Sequence, residues 1–174
     1  MRWFKGFLIA LTGFIILITV FSFLIPSGVT TVRSVVINSP VGKIQQQLFN
    51  INNWKHWHPL FMQDSNNIIT SYPPSGNNAY AEWKSGGKKN KIVFTELLPT
   101  MLKASLERTG ENPTLYIISL VSINDNPGIQ VEWRTFTRLK WYPWEKFAGI
   151  FADKISGPGY EAALQNLKQF CESH

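Results

Sequence analysis

The chain has 174 residues, 17 of them basic and 11 acidic, and a formal net charge of +6. Its 44% hydrophobic and 14% aromatic content excludes a disordered chain. Its cations are too dispersed for the basic stripe with interleaved aromatics that a nucleic-acid binder carries, so no nucleic-acid partner is expected. Cys171 is the single cysteine, which excludes an intramolecular disulfide and a cysteine-built metal framework. A lone thiol suits both a reducing compartment and a bacterial envelope protein free of disulfides.

Residues 7–25, FLIALTGFIILITVFSFLI, carry no charge. A helix of that length rises about 28 Å, close to the hydrocarbon thickness of a bilayer. A cleaved signal peptide would have a shorter apolar stretch and small residues at its cleavage site, but here the run ends in bulky Phe21, Phe23, Leu24 and Ile25. A buried soluble helix would have a polar face, which Thr12, Gly13, Thr19 and Ser22 do not make. The expectation is an uncleaved anchor over residues 1–28, in contact with the lipid bilayer through residues 7–25, and one domain over residues 29–174. Arg2 and Lys5 precede the span, while Arg33 and Lys43 follow it. The short N-terminal tail favours N-in, which places the domain outside the cytosol, in the periplasm of a bacterium.

Residues 29–38 are β-branched and read as a strand. Ser39-Pro40 reads as an N-cap followed by proline at the first helical position. Residues 40–50 then place Val41, Ile44 and Leu48 at helical spacing. The segment Asn53-Trp54-Lys55-His56-Trp57-His58-Pro59-Leu60-Phe61 is too aromatic for a surface loop and reads as a helical turn that plugs the core. Strand candidates follow at 66–72, 78–85, 90–98, 101–108, 114–123 and 129–139, separated by Gly/Pro/Asn turns. Lys88, Lys89 and Lys91 follow Gly86-Gly87 and read as a solvated hairpin tip near an anionic surface. The C-terminus is helical in two pieces, with Gly157-Pro158-Gly159 expected to break or kink them apart. The order predicts an α+β domain in which a curved antiparallel sheet grips a long C-terminal helix, with a space between them.

The residues Arg33-Ser34-Val35-Val36-Ile37-Asn38-Ser39-Pro40, the W-x-x-W-x-P pattern of Trp54, Trp57 and Pro59, Val131-Glu132-Trp133, and the tail Gly157-Pro158-Gly159-Tyr160-Glu161-Ala162-Ala163-Leu164 stand in a telling order. In that order the chain resembles the SRPBCC superfamily (START-like, Bet v 1-like helix-grip proteins), and most closely the polyketide cyclase/dehydrase-like branch with an N-terminal membrane helix. The match spans nearly the whole chain. The resemblance implies a hydrophobic cavity for a lipid-like or aromatic small molecule, while the cyclase label by itself carries little weight for catalysis.

Trp54, Trp57, Trp83, Phe94, Trp133 and Trp141 are the candidate ligand-binding residues, weighed against a plain aromatic core. Trp141, Tyr142 and Trp144 read either as a lip over the pocket or as a contact with the membrane interface. Glu96, in register with Ile92, Phe94 and Leu98, is a candidate catalytic acid or base if it points inward; a bulge or a basic partner would cancel that role. His56 and His58 are the other catalytic candidates, with capping the plainer role. A third zinc ligand near them is missing from the sequence, so neither a metal nor a cofactor is expected. Three functions remain open: a membrane-anchored module for a hydrophobic small molecule, a cyclase, dehydratase or hydrolase, and an envelope protein-interaction domain with a filled core.

Overall fold

The computed structural model describes residues 2–63, 67–123 and 128–173. Helix α1, Arg2–Ser22, is apolar and long enough to cross a membrane. Its side chains are open along most of its length; at the last turn Ser22 is buried.

The sheet consists of β1 (Gly28–Ile37), β2 (Ile69–Thr70), β3 (Tyr80–Ser85), β4 (Lys88–Leu98), β5 (Met101–Arg108), β6 (Thr114–Ser122) and β7 (Ile129–Arg138). These seven strands are antiparallel in the order β1-β7-β6-β5-β4-β3-β2. Strand alternation sets one face inward: Ala81 and Trp83, Ile92 and Phe94, Leu102, Ala104 and Leu106, and Val131 and Trp133 are all buried. The sequence places these strands well. Gly86 and Gly87 have φ of +57° and +77°, the left-handed pair of a tight hairpin turn, so β4 starts two residues earlier than the 90–98 expected. The expected strand at 66–72 shrinks to β2, with Asn66 outside the described residues. Past Thr70, the Ser71 hydroxyl accepts the Tyr80 N–H at 2.9 Å, in the place of a ladder carbonyl. Pro73 and Pro74 then supply no donors. The expected turn at 124–127 also lies outside the described residues.

Helix α2 is Val41–Phe49, and a 3-10 helix, Ile51–His56, follows it. The short α3 is Pro59–Gln63. The expected Ser39 cap is overturned. Pro40 occupies the N-cap position without a side-chain bond, and the Ser39 hydroxyl donates instead to the Cys171 carbonyl at 3.2 Å. Lys43 Nζ donates to that same carbonyl at 2.6 Å. The end of the C-terminal helix has carbonyls without intrahelical partners, and these two donors serve one of them.

Helix α4, Pro143–Ser173, runs 31 residues without a break. The break expected at Gly157-Pro158-Gly159 does not occur. Pro158 faces outward, where the carbonyl that loses its partner, Lys154, is also on the exposed side. Gly157 is buried against the Arg33 guanidinium, where a Cβ would collide. The C-terminal half of α4 lays Ala163, Leu164, Leu167 and Cys171 into the core. The N-terminal half packs on β1: Arg33 pairs with Asp153 at 3.0 Å, and Gly149 touches Val29 and Leu139.

Gly149→Val is expected to lower stability by about 1–3 kcal/mol in thermal unfolding, because its added atoms meet Leu139 and Val29, which must move to admit them. Gly159→Ala, with nothing within 4 Å of its Cβ, is expected to raise stability by up to about 1 kcal/mol.

Candidate functional site

Trp54 and Trp57 enter the interior from the 3-10 helix and its first following residue. Their indole N–H groups are fixed locally. Trp54 Nε1 donates to the Leu48 carbonyl at 2.9 Å and Trp57 Nε1 to the Gln47 carbonyl at 3.3 Å, so both indoles close the C-terminal end of α2. The rings then pack on each other at a centroid distance of 5.1 Å. Phe94 stands 5.6 Å from Trp54, and Trp133 stands 6.0 Å from Trp57. Tyr116 and Tyr160 continue the cluster on the far side of Trp133, at 5.3 and 5.2 Å. Trp54, Trp57, Phe94 and Trp133 are each at most 1% exposed. The space expected between sheet and helix is thus occupied by the protein's own rings.

His58 lies inside this cluster, stacked on Trp54 at 5.3 Å and 10°. Burial holds its pKa down to about 3, so the ring is neutral. Its Nδ1 atom, Trp133 Nε1 and Gln47 Oε1 are enclosed without a hydrogen-bond partner among the described residues. Burial also pushes the Tyr116 phenol well above its ordinary value and raises the Cys171 thiol, so neither is a ready nucleophile or base. His56 is elsewhere, stacked on Phe170 of α4 at 5.1 Å. Among the described residues no three potential ligands cluster to hold a metal.

Glu96 does not point into the interior. The β4–β5 register slips between Phe94 and Glu96, and this bulge puts Leu97 against the core and Glu96 outside it. There Lys103 Nζ donates to Glu96 at 2.6 Å. Of the outcomes the sequence left open for Glu96, the structure has both the bulge and the basic partner, and not the inward carboxylate. Glu82 and Glu132 are likewise paired, with Lys91 at 2.9 Å and Arg134 at 2.9 Å.

Trp83 is the cavity-wall candidate that meets an opening. It contacts Phe61 of the core at 5.7 Å and lines a cleft of about 780 Å³ at the β3–β4 hairpin end of the sheet. Trp83, Asn90 and Arg108 occupy one register row across β3, β4 and β5 on the inward side. Glu82, Lys91 and Glu107 form the next row on the outer side. Ile69, Lys84 and Lys89 complete the wall beside Asn67 and Thr109. Lys91 is held between Glu82 and the Tyr80 ring, 4.5 Å away. Lys84 and Lys89 have no ion-pair partner among the described residues. The lysine cluster is visible in the sequence; Asn90 and Arg108 become visible only when the hairpin registers are known. Trp141, at 66% exposed, stands outside both the core and the cleft, 5.0 Å from Tyr142.

The chain matches no family model and no curated protein. Solved structures do match. A protein of unknown function from Staphylococcus aureus superposes with a TM-score of 0.65 at 11% identity, covering 84% of this chain and 94% of that one. The di-domain ARO/CYC protein StfQ of the steffimycin biosynthetic pathway gives 0.64 at 10% identity, with 84% of this chain matched to 51% of that one. Ara h 8.0201 gives 0.56 at 11% identity, over 84% and 99% of the two chains. The likeness establishes the fold: an α+β helix grip of the START-like, Bet v 1-like kind.

The buried neutral His58 sets a pH dependence. Above about pH 6.5 the histidine is neutral both folded and unfolded, and nothing is lost. Below it the unfolded chain takes up a proton that the native ring refuses until about pH 3. Stability is expected to fall by about 2 kcal/mol between pH 6.5 and 5 through this group. Chemical unfolding across that range should show the slope, and His58→Leu should flatten it.

Proposed function

We propose that the chain is a membrane-tethered SRPBCC module that holds a hydrophobic or lipid-like small molecule with an anionic head, in the cleft beside Trp83. The single observation that carries the reading is the composition of this cleft. Its 780 Å³ volume falls within the range of small-molecule sites. Trp83 on the inward side and Ile69 on the outer side supply apolar wall, while Lys84, Lys89, Lys91 and Arg108 supply cations that outnumber the carboxylates of Glu82 and Glu107. Apolar burial would contribute roughly 25 cal/mol per Å² of ligand surface, and the cations would orient the head. The cleft also lies at the end of the sheet where the tether joins. Gly28 opens β1 opposite Arg138, and Arg108, Lys88 and Ser85 stand at that same edge of the antiparallel ladder. With α1 as the tether, this end of the sheet stays near the bilayer, where such ligands concentrate.

The ring-filled interior favours a second reading, in which the domain serves an envelope protein partner and carries no guest. One experiment separates the two. The full chain in lipid nanodiscs is titrated with a fluorescent fatty acid and with its neutral alcohol analogue. Under the first reading the acid binds at least tenfold more tightly than the alcohol. Trp83→Ala weakens both, and Lys84→Glu with Lys89→Glu abolishes the preference for the acid. Tenfold corresponds to about 1.4 kcal/mol. Equal, unsaturable partitioning of both probes in all three proteins overturns it and leaves the interaction reading.

A further inference from the structure

The first half of α4 has two opposite faces. Lys146, Gly149, Asp153 and Gly157, spaced i, i+3, i+7 and i+11, form the inner one, against β1 and the end of α1. Trp144, Phe147, Phe151 and Ile155 follow the same spacing from a start two residues earlier. At about 100° per residue this puts them on roughly the opposite side. All four are exposed, Trp144 at 68% and Ile155 at 77%, with Ile150 flanking them at 58%. This is a contiguous apolar stripe on an otherwise packed domain, continued at its start by Trp141.

Its position relative to α1 is fixed. Lys146 Nζ donates to the Ile25 carbonyl at 2.9 Å and to Ser27 Oγ at 2.6 Å, and is itself only 6% exposed. The last turn of α1 packs on α4, and Ser22 is buried there. If α1 spans a bilayer, that turn sits at the depth of the lipid headgroups, and the stripe starts beside it. Cations lie near the start of the stripe: Lys154 on its flank, and Arg138 and Lys140 just before the helix.

We propose that the N-terminal half of α4 is a second membrane contact, lying at the headgroup–acyl boundary of an anionic bilayer with Trp141, Trp144, Phe147, Phe151 and Ile155 inserted. It rests on the reading of α1 as a span. The chemistry is that of an interfacial helix: indoles at headgroup level, aliphatic and phenyl groups below, lysines above. The consequence is a fixed attitude of the domain, with the first half of α4 and the β1 strand it follows lying along the bilayer surface.

The test uses the full chain in liposomes of phosphatidylcholine and phosphatidylglycerol. Phe151→Cys carries a nitrobenzoxadiazole label, and Lys55→Cys, at an exposed site on the 3-10 helix, is the control. Native Cys171 is 1% exposed and stays unlabelled. The label at 151 is expected to be quenched at least threefold more than that at 55 by lipids bearing a nitroxide high on the acyl chain. Brominated lipids provide a check without labels, since Trp141→Phe with Trp144→Phe should remove a measurable share of their tryptophan quenching. Equal quenching at 151 and 55, with no loss of bromine quenching in the double variant, overturns the proposal. A label at 151 that is shielded from water yet untouched by nitroxide, and self-quenches as protein density rises, assigns the stripe to a second copy and overturns it too. Carbonate extraction distinguishes the underlying reading. A chain released by carbonate defeats the tether and the docking face together, whereas a retained chain with a solvent-exposed 151 label defeats the docking face alone.

Discussion

Two indole hydrogen bonds organise the domain. By donating to the carbonyls of Gln47 and Leu48, Trp57 and Trp54 end α2 and swing their rings under the sheet in one step. A helix end buried without partners would be costly, and here the residues that satisfy it are also two of the three largest fully buried side chains among the described residues. The stacking of His58, the placing of Phe94 and the T-shaped approach of Trp133 follow from where those two rings lie. The buried rings of the chain are therefore gathered chiefly in one cluster, and the open volume lies at the hairpin end.

That arrangement changes what the fold is able to hold. A grip fold becomes a vessel only where side chains stop short of meeting. Across the middle of this sheet they meet, ring to ring at 5–6 Å. Toward the β3–β4 hairpin the inward row changes from Phe94 and Ala104 to Asn90 and Arg108, and its walls separate. The chemistry there is mixed, with an indole, an isoleucine, long cationic chains and the carboxylates of Glu82 and Glu107. The neutral histidine in the core adds a pH sensitivity to stability and no reactive group to the cleft.

Much of the architecture was legible in the sequence because it depends on periodicity and turn chemistry. Six strand segments, the short α2 and the C-terminal amphipath all follow from those signals, and Gly86-Gly87 marks the β3–β4 turn, although β4 starts two residues before its expected position. What escaped depended on single extra residues or on partners distant in the chain. One inserted residue in β4 turned Glu96 outward, an outcome the sequence left open beside the inward one because alternation alone does not locate a bulge. Ser39 gave up its cap for a carbonyl 132 positions away. Gly157-Pro158-Gly159 reads as a helix breaker until its setting is known: the glycine belongs against Arg33 and the proline on the outer side. Trp54 and Trp133 were recognisable as inward residues, but whether inward rings enclose a hollow or close it is a matter of their mutual angles.

The lysine that joins the two parts of the molecule has a mechanical meaning. Lys146 reaches back from α4 to the carbonyl of Ile25 and the hydroxyl of Ser27, while β1 starts at Gly28. The connection between α1 and the domain is thus a clamped joint and not a swivel. A domain fastened in this way cannot sweep freely on a leash: any roll or tilt of the apolar helix is passed on to α4 as torque, and from there to β1 through Asp153 and Arg33.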